Sequence, residues 1–381
     1  MPPPPYLNSF NVVRFIAAVC IVLGHFFQRT FIAHEWPGWL TVMISSAGSY
    51  YASLFFIISG FVLAYARQRR ASQGKASENP LVLFARHLKR AAPYMVAGSS
   101  LMAVMRVAQH VNPLRVVLEF LYSNSLIPPF LLTIPSLNRP AWAMSVFALG
   151  YLINAFCGDW LGARSTKQGV FLTLLLAGMM YSLVFLYGVL IPDSPAYPPR
   201  TYSAMHKAIH IFPLSRVFEV ILGMLLGSLV HRKFFQIKGV MGSLPMMSDK
   251  LMAILIVVFN LVCLALISTV SGKLAFLLTH GLLLIPSCMM LVALAVSDDW
   301  VSKLGLVRIF TFLGNLSIPL YLLHWPSHVI YARFVRRSGL DLDNRSWMYM
   351  LLYFSLLFIL SVVLMGLLRI ARASFARFGR A

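Results

Sequence analysis

Ten apolar segments of the chain are each long enough to cross a lipid bilayer as a helix. One crossing needs about 20 predominantly apolar residues, and such runs recur along most of the 381 residues. The segments span residues 11–31, 42–65, 92–109, 141–158, 169–191, 214–231, 250–268, 274–296, 310–332 and 347–370. The sequence therefore predicts an all-α, polytopic membrane bundle of about ten transmembrane helices.

The composition excludes a soluble globular protein. Apolar residues make up 59% of the chain and charged residues only 11%, whereas an ordinary soluble domain has about 25% charged residues. The connections leave little room for a separate water-soluble domain. We therefore expect one transmembrane domain over residues 1–381, with an N-terminal tail at 1–10 and a basic C-terminal tail at 372–381.

The charge distribution predicts the orientation of the bundle. The formal net charge is +21, and basic loops usually lie on the cytoplasmic side of a membrane protein. With both termini inside, 19 Lys and Arg fall on the inner side and 11 on the outer side. We expect an N-in, C-in protein of the inner membrane, with the lipid bilayer and not nucleic acid as the partner of its basic residues.

Two ionisable residues occupy the first predicted span. Arg14 and His25 are eleven residues apart, which is close to three full turns, so both side chains project from one helix face about 16 Å apart. Charged groups within a membrane usually face a cavity or a partner. A snorkelling anchor and a satisfied core histidine are the alternatives for these two residues. Their common face instead predicts one slot lined by both.

Small and basic residues follow in the next two segments. Ser59 and Gly60 interrupt a bulky apolar run, which leaves room either for close helix packing or for a ligand chain. Arg86 and Arg90 lie one helical turn apart, shortly before Tyr94. Two arginines at this spacing can bind phosphates, although a cytoplasmic anchor cluster gives the same pattern.

A possible ion pair lies at the start of the sixth segment. Arg216 and Glu219 are three residues apart, so they can pair on one helix face. The pair is either a structural strut or a general base with its orienting partner. Gly223 and Gly227 follow at the spacing of a close helix contact.

The ninth segment contains polar residues between two prolines. Tyr321 and His324 lie between Pro319 and Pro326, and each proline removes a hydrogen bond from a helix. His324 and His328 have a metal-ligand spacing, but no carboxylate or cysteine accompanies them. We expect no metal at this site.

Together, these stretches resemble the acyltransferase 3 family of integral membrane O-acyltransferases, which modify bacterial surface or exported glycans. The resemblance rests on five stretches in the family's order. They are Arg14 with His25, FFIISGF at 55–61, FARHLKRAAPY at 84–94, PLSRVFEVILGMLLG at 213–227 and LGNLSIPLYLLHWP at 313–326.

The resemblance implies a donor, an acceptor and a functional pair, His25 with Arg14, and the residues described above complete the expected site. A cytoplasmic acyl-coenzyme A, expected to be acetyl-coenzyme A, would be the donor, and a hydroxyl of a carbohydrate on the far side would be the acceptor. The expected catalytic residues are His25, Arg14 and Glu219. The expected donor-binding residues are Arg14, Arg86, Arg90, Ser59, Gly60 and Tyr94. The expected acceptor-binding residues are Trp142, Ser145, Arg216, Tyr321 and His324.

One segment departs from the family pattern. Members often have a glutamate at the end of a W-S-L-S-V-E type segment, whereas this chain has Phe147 in RPAWAMSVFALGY. Either Glu219 or His25 would then transfer the proton alone, or the acceptor differs from the usual one. The chain would act without the extra esterase-like domain of larger relatives, as an oligomer or with a separate partner protein.

A different class of function is compatible with the same residues. In a transporter or flippase for an anionic or glycolipid cargo, Arg14, Arg216 and Glu219 would line the transport path. Such a protein would move cargo without consuming acyl-coenzyme A. A purely structural subunit would leave the intramembrane charges without a role.

Overall fold

The structure is a computed structural model of the chain. It describes residues 8–45, 48–75, 78–106, 138–190, 212–232, 249–266, 278, 283–296, 307–340, 342–343 and 345–378. The regular structure of these residues is entirely helical. Their α-helices are α1 (Asn8–Phe26), α2 (Gln28–Ala33), α3 (Gly38–Ser45), α4 (Gly48–Ser72), α5 (Pro80–Arg106), α6 (Trp142–Ala163), α7 (Thr166–Leu190), α8 (Pro213–His231), α9 (Asp249–Ala265), α10 (Leu284–Val296), α11 (Val307–Arg337) and α12 (Trp347–Phe378).

The predicted all-helical membrane bundle is confirmed in its coarse form. Among the described residues, six helical stretches are long and apolar enough to cross a membrane, namely Asn8–Phe26, Gly48–Ser72, Arg139–Ala163, Pro213–His231, Val307–Arg337 and Trp347–Arg372. Described helices also coincide at least partly with the other four predicted segments. A total of ten spans and the N-in, C-in orientation remain predictions. Residues 1–7 and 379–381 of the expected tails lie outside the described part.

The first two predicted spans have different boundaries in the structure. The predicted segment 11–31 is divided, because α1 ends at Phe26 and α2 begins at Gln28. The predicted segment 42–65 begins in α3 and continues in α4, which extends to Ser72. Hydropathy averages over such breaks, since the residues on both sides are apolar.

Helices α4 and α8 form the centre of the bundle. In their apolar windows 72% and 78% of the residues are buried, compared with 22% for α12. A Cβ at Gly60 would collide with the backbone of Val220, and one at Gly223 or Gly227 would collide with the backbone of α4. The two helices can approach this closely because these positions have no side chain.

Helix α11 packs against α1 and continues through both of its prolines. Pro326 cannot donate the helical hydrogen bond that the carbonyl of Leu322 would accept. The side-chain amide of Asn138 donates to that carbonyl instead, at 2.8 Å. This bond connects the turn before α6 to the middle of α11.

Candidate active site

A basic cavity of about 810 Å³ lies among α1, α4, α5, α6, α11 and α12. We call it the basic cavity because eight arginines and lysines line it, compared with two carboxylates. The basic residues are Arg14, Arg67, Arg70, Lys75, Arg86, Arg90, Arg369 and Arg372. Such an excess of positive charge within a helix bundle favours an anionic ligand.

Three of these arginines are paired with the two carboxylates. Arg67 donates two hydrogen bonds of 2.5 Å to Asp159. Arg86 makes a bidentate pair with Glu78, at 2.7 and 2.5 Å, and Arg70 lies 3.2 Å from the same carboxylate. The charge of these three arginines is therefore largely neutralised within the protein.

The other five basic residues of the cavity have no ion pair among the described residues. They are Arg14, Lys75, Arg90, Arg369 and Arg372. Of the expected donor-binding arginines, Arg14 and Arg90 are thus free of ion pairs among the described residues, whereas Glu78 engages Arg86. The residues of α12 were not predicted, because nothing in the sequence indicates that the end of the last helix lies beside the first.

His87 adds a neutral aromatic surface to the cavity. Its ring stacks on that of Tyr151 with centroids 5.1 Å apart. Burial, together with the nearby charges of Arg90 and Arg86, lowers the pKa of His87 to about 4. Since this is far below neutral pH, the ring is uncharged under ordinary conditions.

The inner wall of the cavity is aromatic. Phe147 occupies the position where the family pattern has a glutamate, and it lines the cavity. Its ring lies 5.1 Å from that of Phe56 and 6.3 Å from that of Tyr151. An apolar ring there favours an apolar or slender ligand segment over a charged one.

Tyr321 connects the cavity to a pair of histidines. Tyr321 lines the cavity, and its ring centroid lies 5.8 Å from that of His324. The His324 ring in turn stacks on His25, with centroids 5.3 Å apart and planes at 18°. The three rings form a continuous series from the cavity to the end of α1.

The hydrogen bonds of His324 identify its free nitrogen. Nδ1 lies 2.5 Å from the carbonyl oxygen of Tyr321, and a carbonyl can only accept, so Nδ1 carries the proton. In the neutral ring Nε2 then has a free lone pair. Nε2 is buried and has no hydrogen-bond partner among the described residues. A buried polar atom of this kind can be satisfied by a ligand group or a water.

The predicted single slot is corrected by this arrangement. Arg14 lines the basic cavity, but His25 does not. His25 is an exposed residue at the end of α1, and His324 lies against it. Helix geometry gives the spacing of Arg14 and His25 along α1. The packing of α11 places the His324 ring between His25 and Tyr321.

Arg216 and Glu219 form a buried pair behind the cavity wall, where the Arg216 guanidinium lies 5.4 Å from the ring of the cavity-lining Phe56. Arg216 Nη1 donates to Glu219 Oε1 at 2.9 Å, and the two side chains are 3% and 1% exposed. Ser53 Oγ donates to the same carboxylate oxygen at 2.9 Å. Neither charged residue lines the cavity. These contacts are those of a strut, but Glu219 Oε2 and Arg216 Nε are buried without a hydrogen-bond partner among the described residues, and the expected roles in catalysis and acceptor binding stay predictions.

The remaining expected residues divide between the cavity and the packed interior. Ser59 and Tyr94 line the cavity, whereas Gly60 is packed against α8. Ser145 is buried, and the ring of Trp142 packs edge-on against Phe56 at 5.8 Å. Gly60, Ser145 and Trp142 therefore contribute to packing in this structure.

The histidines at the end of α1 and in α11 pack among rings. Among the described residues, no group of three or more His, Cys, Asp or Glu side chains could hold a metal ion. The described ring contacts of His25, His324 and His328 are with other aromatic or imidazole rings.

The fold and the cavity define a multi-pass membrane protein with a basic chamber inside its helix bundle. The chain belongs to the acyltransferase 3 family, whose model, described as "Acyltransferase domain", matches residues 7–366. A curated relative, Acyltransferase MdmB from Streptomyces mycarofaciens, is 26% identical over 151 residues. That alignment covers 38% of each chain, so it spans well under half of the relative. No solved structure matches the chain significantly.

Proposed function

We propose that the protein transfers an acyl group, expected to be acetyl, from cytoplasmic acyl-coenzyme A to a hydroxyl of a carbohydrate across the bacterial inner membrane. Family membership supports acyl transfer. The observation that most strongly supports this donor is the basic cavity, whose unpaired cations can bind several phosphates while its aromatic walls lead towards His324 and His25.

The donor phosphates would bind at the wide, basic end of the cavity. Arg14 and Arg90 are available for charge-assisted hydrogen bonds, which are about twice as strong as neutral ones. Arg369 and Arg372 add two guanidinium groups from α12. The flat His87–Tyr151 pair offers a stacking surface for the adenine ring.

The ends of four helices support a cytoplasmic entry for the donor in this proposal. The basic cavity contains residues near the ends of α4 and α12 and the beginnings of α1 and α11. In the predicted topology all of these ends face the cytoplasm. The donor would therefore enter from the compartment that contains coenzyme A.

His25 would act as the base at the other end of the path. It would take the proton of the acceptor hydroxyl while that oxygen attacks the thioester carbonyl. A carbon–oxygen bond forms, the carbon–sulfur bond breaks, and the proton passes to the departing thiolate. In the other route His25 attacks first and carries the acyl group briefly as an acyl-imidazole.

A paired assay tests the proposal. Membranes with the wild-type chain, with His25→Ala or with Arg336→Ala receive labelled acetyl-coenzyme A, and free thiol and labelled glycan are measured together. We expect thiol release and labelling from the wild type and Arg336→Ala, and loss of both from His25→Ala. Full labelling by His25→Ala refutes its role, and the absence of thiol release from wild-type membranes contradicts acyl transfer and favours the transporter.

The acceptor can be identified in cells. Mass spectrometry of surface polysaccharides with and without the gene reports the acyl group and the modified sugar in one experiment. A mass difference equal to one acetyl group on a sugar is the expected result. Identical polysaccharides in both strains would contradict a carbohydrate acceptor.

A further inference from the structure

The His25 end of the path contains an arginine that sequence analysis did not assign. The guanidinium carbon of Arg139 lies 4.4 Å from the centre of the Trp325 ring. Trp325 also packs edge-on against His25, with centroids 6.1 Å apart. Arg139 and the expected base therefore contact the same indole.

The backbone beside Arg139 is held in place by the proline of α11. Asn138 is fully buried and donates to the carbonyl of Leu322, which Pro326 leaves without its helical donor. Gly98 packs so closely there that a Cβ would meet both Asn138 and Leu322. Arg139 is thus the next residue after a fixed anchor, although its own side chain is exposed.

The neighbourhood of Arg139 has unused hydrogen-bonding capacity. No carboxylate among the described residues forms a salt bridge with Arg139. Two buried ring nitrogens lie close to His25, namely Nε2 of His324 and Nε1 of Trp325. Neither has a hydrogen-bond partner among the described residues. A guanidinium whose face lies on an indole keeps its edge N–H groups free for bidentate binding.

We propose that Arg139 binds a carboxylate or phosphate group of the acceptor and so positions the acceptor hydroxyl at His25. The acceptor is then an anionic carbohydrate, such as one containing a uronic acid or a phosphorylated sugar. This inference rests on the proposed function. Arg139 is a substrate-binding residue in it, and His25 remains the base.

The surroundings of Arg139 fit an anion-binding role better than the role of a membrane anchor. A snorkelling arginine needs only water or lipid headgroups. Arg139 instead lies over the Trp325 ring, which also packs against the expected base, and it follows the buried anchor Asn138. A lysine supplies the positive charge but not the planar, two-pronged guanidinium. Arg139→Lys should therefore retain part of the affinity for the anionic group, and Arg139→Gln should lose the part that depends on charge.

Binding of two matched sugars tests the inference. Methyl β-glucuronide and methyl β-glucoside differ in a single carboxylate, and their dissociation constants are measured by calorimetry with the full chain in phosphatidylcholine nanodiscs. We expect the wild type to bind the glucuronide about tenfold more tightly, as one charge-assisted bidentate contact allows. Arg139→Gln should abolish the preference, Arg139→Lys should keep part of it, and Arg345→Gln, an exposed control, should keep all of it.

Three outcomes would overturn the inference. One is equal binding of the two sugars by the wild type, including no measurable binding of either. Another is a loss of affinity for both sugars in Arg139→Gln, which indicates a structural role. The third is loss of glucuronide binding when phosphatidylglycerol is added to the discs, which identifies a lipid headgroup site. A retained preference without thiol release from acetyl-coenzyme A contradicts the proposed function instead.

Discussion

The imidazole rings of His25 and His324 stack at 5.3 Å, and Nδ1 of His324 donates to the carbonyl of Tyr321. This bond fixes both the orientation of the His324 ring and the position of its proton. The ring in turn provides the surface on which His25 packs. His324 is therefore a positioning residue for the expected base.

Replacing His324 should separate positioning from donor binding. In His324→Ala the stacked ring is lost, so we expect kcat to fall by about 10- to 100-fold, as for misplaced general bases. KM for acetyl-coenzyme A should change little, because His324 does not line the basic cavity. Steady-state thiol release measures both. An unchanged kcat would show that His25 does not depend on this ring.

Arg90 and Arg86 should differ in their effects on the donor. Arg90 has no ion pair among the described residues, whereas Arg86 is bound by Glu78. We expect Arg90→Ala to raise the donor KM by about tenfold, the equivalent of about 1.4 kcal/mol. Arg86→Ala should raise it less. Arg336→Ala, at the exposed end of α11, is the control, and equal effects of all three changes would contradict donor binding at the cavity.

Two variants distinguish a strut from a base at Arg216 and Glu219. Glu219→Ala leaves a buried guanidinium unpaired, which typically costs about 3–5 kcal/mol of stability. The double variant Arg216→Met, Glu219→Leu removes both charges and should restore the thermal midpoint. If the pair is a strut, this double variant keeps acyl transfer. A folded but inactive double variant would support the expected catalytic role of Glu219.

The contact between α4 and α8 should not tolerate a methyl group. Gly60→Ala places a Cβ against the backbone of Val220, and overpacking of a close contact costs about 1–3 kcal/mol or more. Gly366→Ala is the matched control, because nothing lies within 4 Å of its Cβ position. Thermal unfolding in detergent compares the two. Similar midpoints for both variants would show that the helices can move apart at little cost.

His87 should contribute to the pH dependence of stability. Its pKa is about 4 in the folded chain and 6.5 when exposed, so acid protonates the unfolded state first. Its contribution is complete above pH 6.5 and is lost as the pH falls towards 4. We expect His87→Gln to reduce the loss of thermal midpoint over this interval. Parallel curves for wild type and variant would contradict the burial of a neutral ring.

Many features of the chain follow from local sequence. Apolar runs predict membrane helices because each residue in a span contributes to transfer into lipid. Arg14 is identifiable as a candidate because a charge within such a run is costly wherever the neighbouring helices lie. Ser59, Arg90 and Tyr94 also lie on the basic cavity, and their donor-binding role stays a prediction.

Contacts between distant segments are not determined by such local patterns. The sequence predicted all-helical spans and the intramembrane charges, since hydropathy and the cost of burying charge depend on neighbouring residues. Three features depend on the packing of the helices: Glu78 engages Arg86, α12 adds Arg369 to the cavity, and Gly60 packs against α8. Helix packing depends on the shapes of surfaces that meet in three dimensions, and hydropathy contains no information about which surfaces meet.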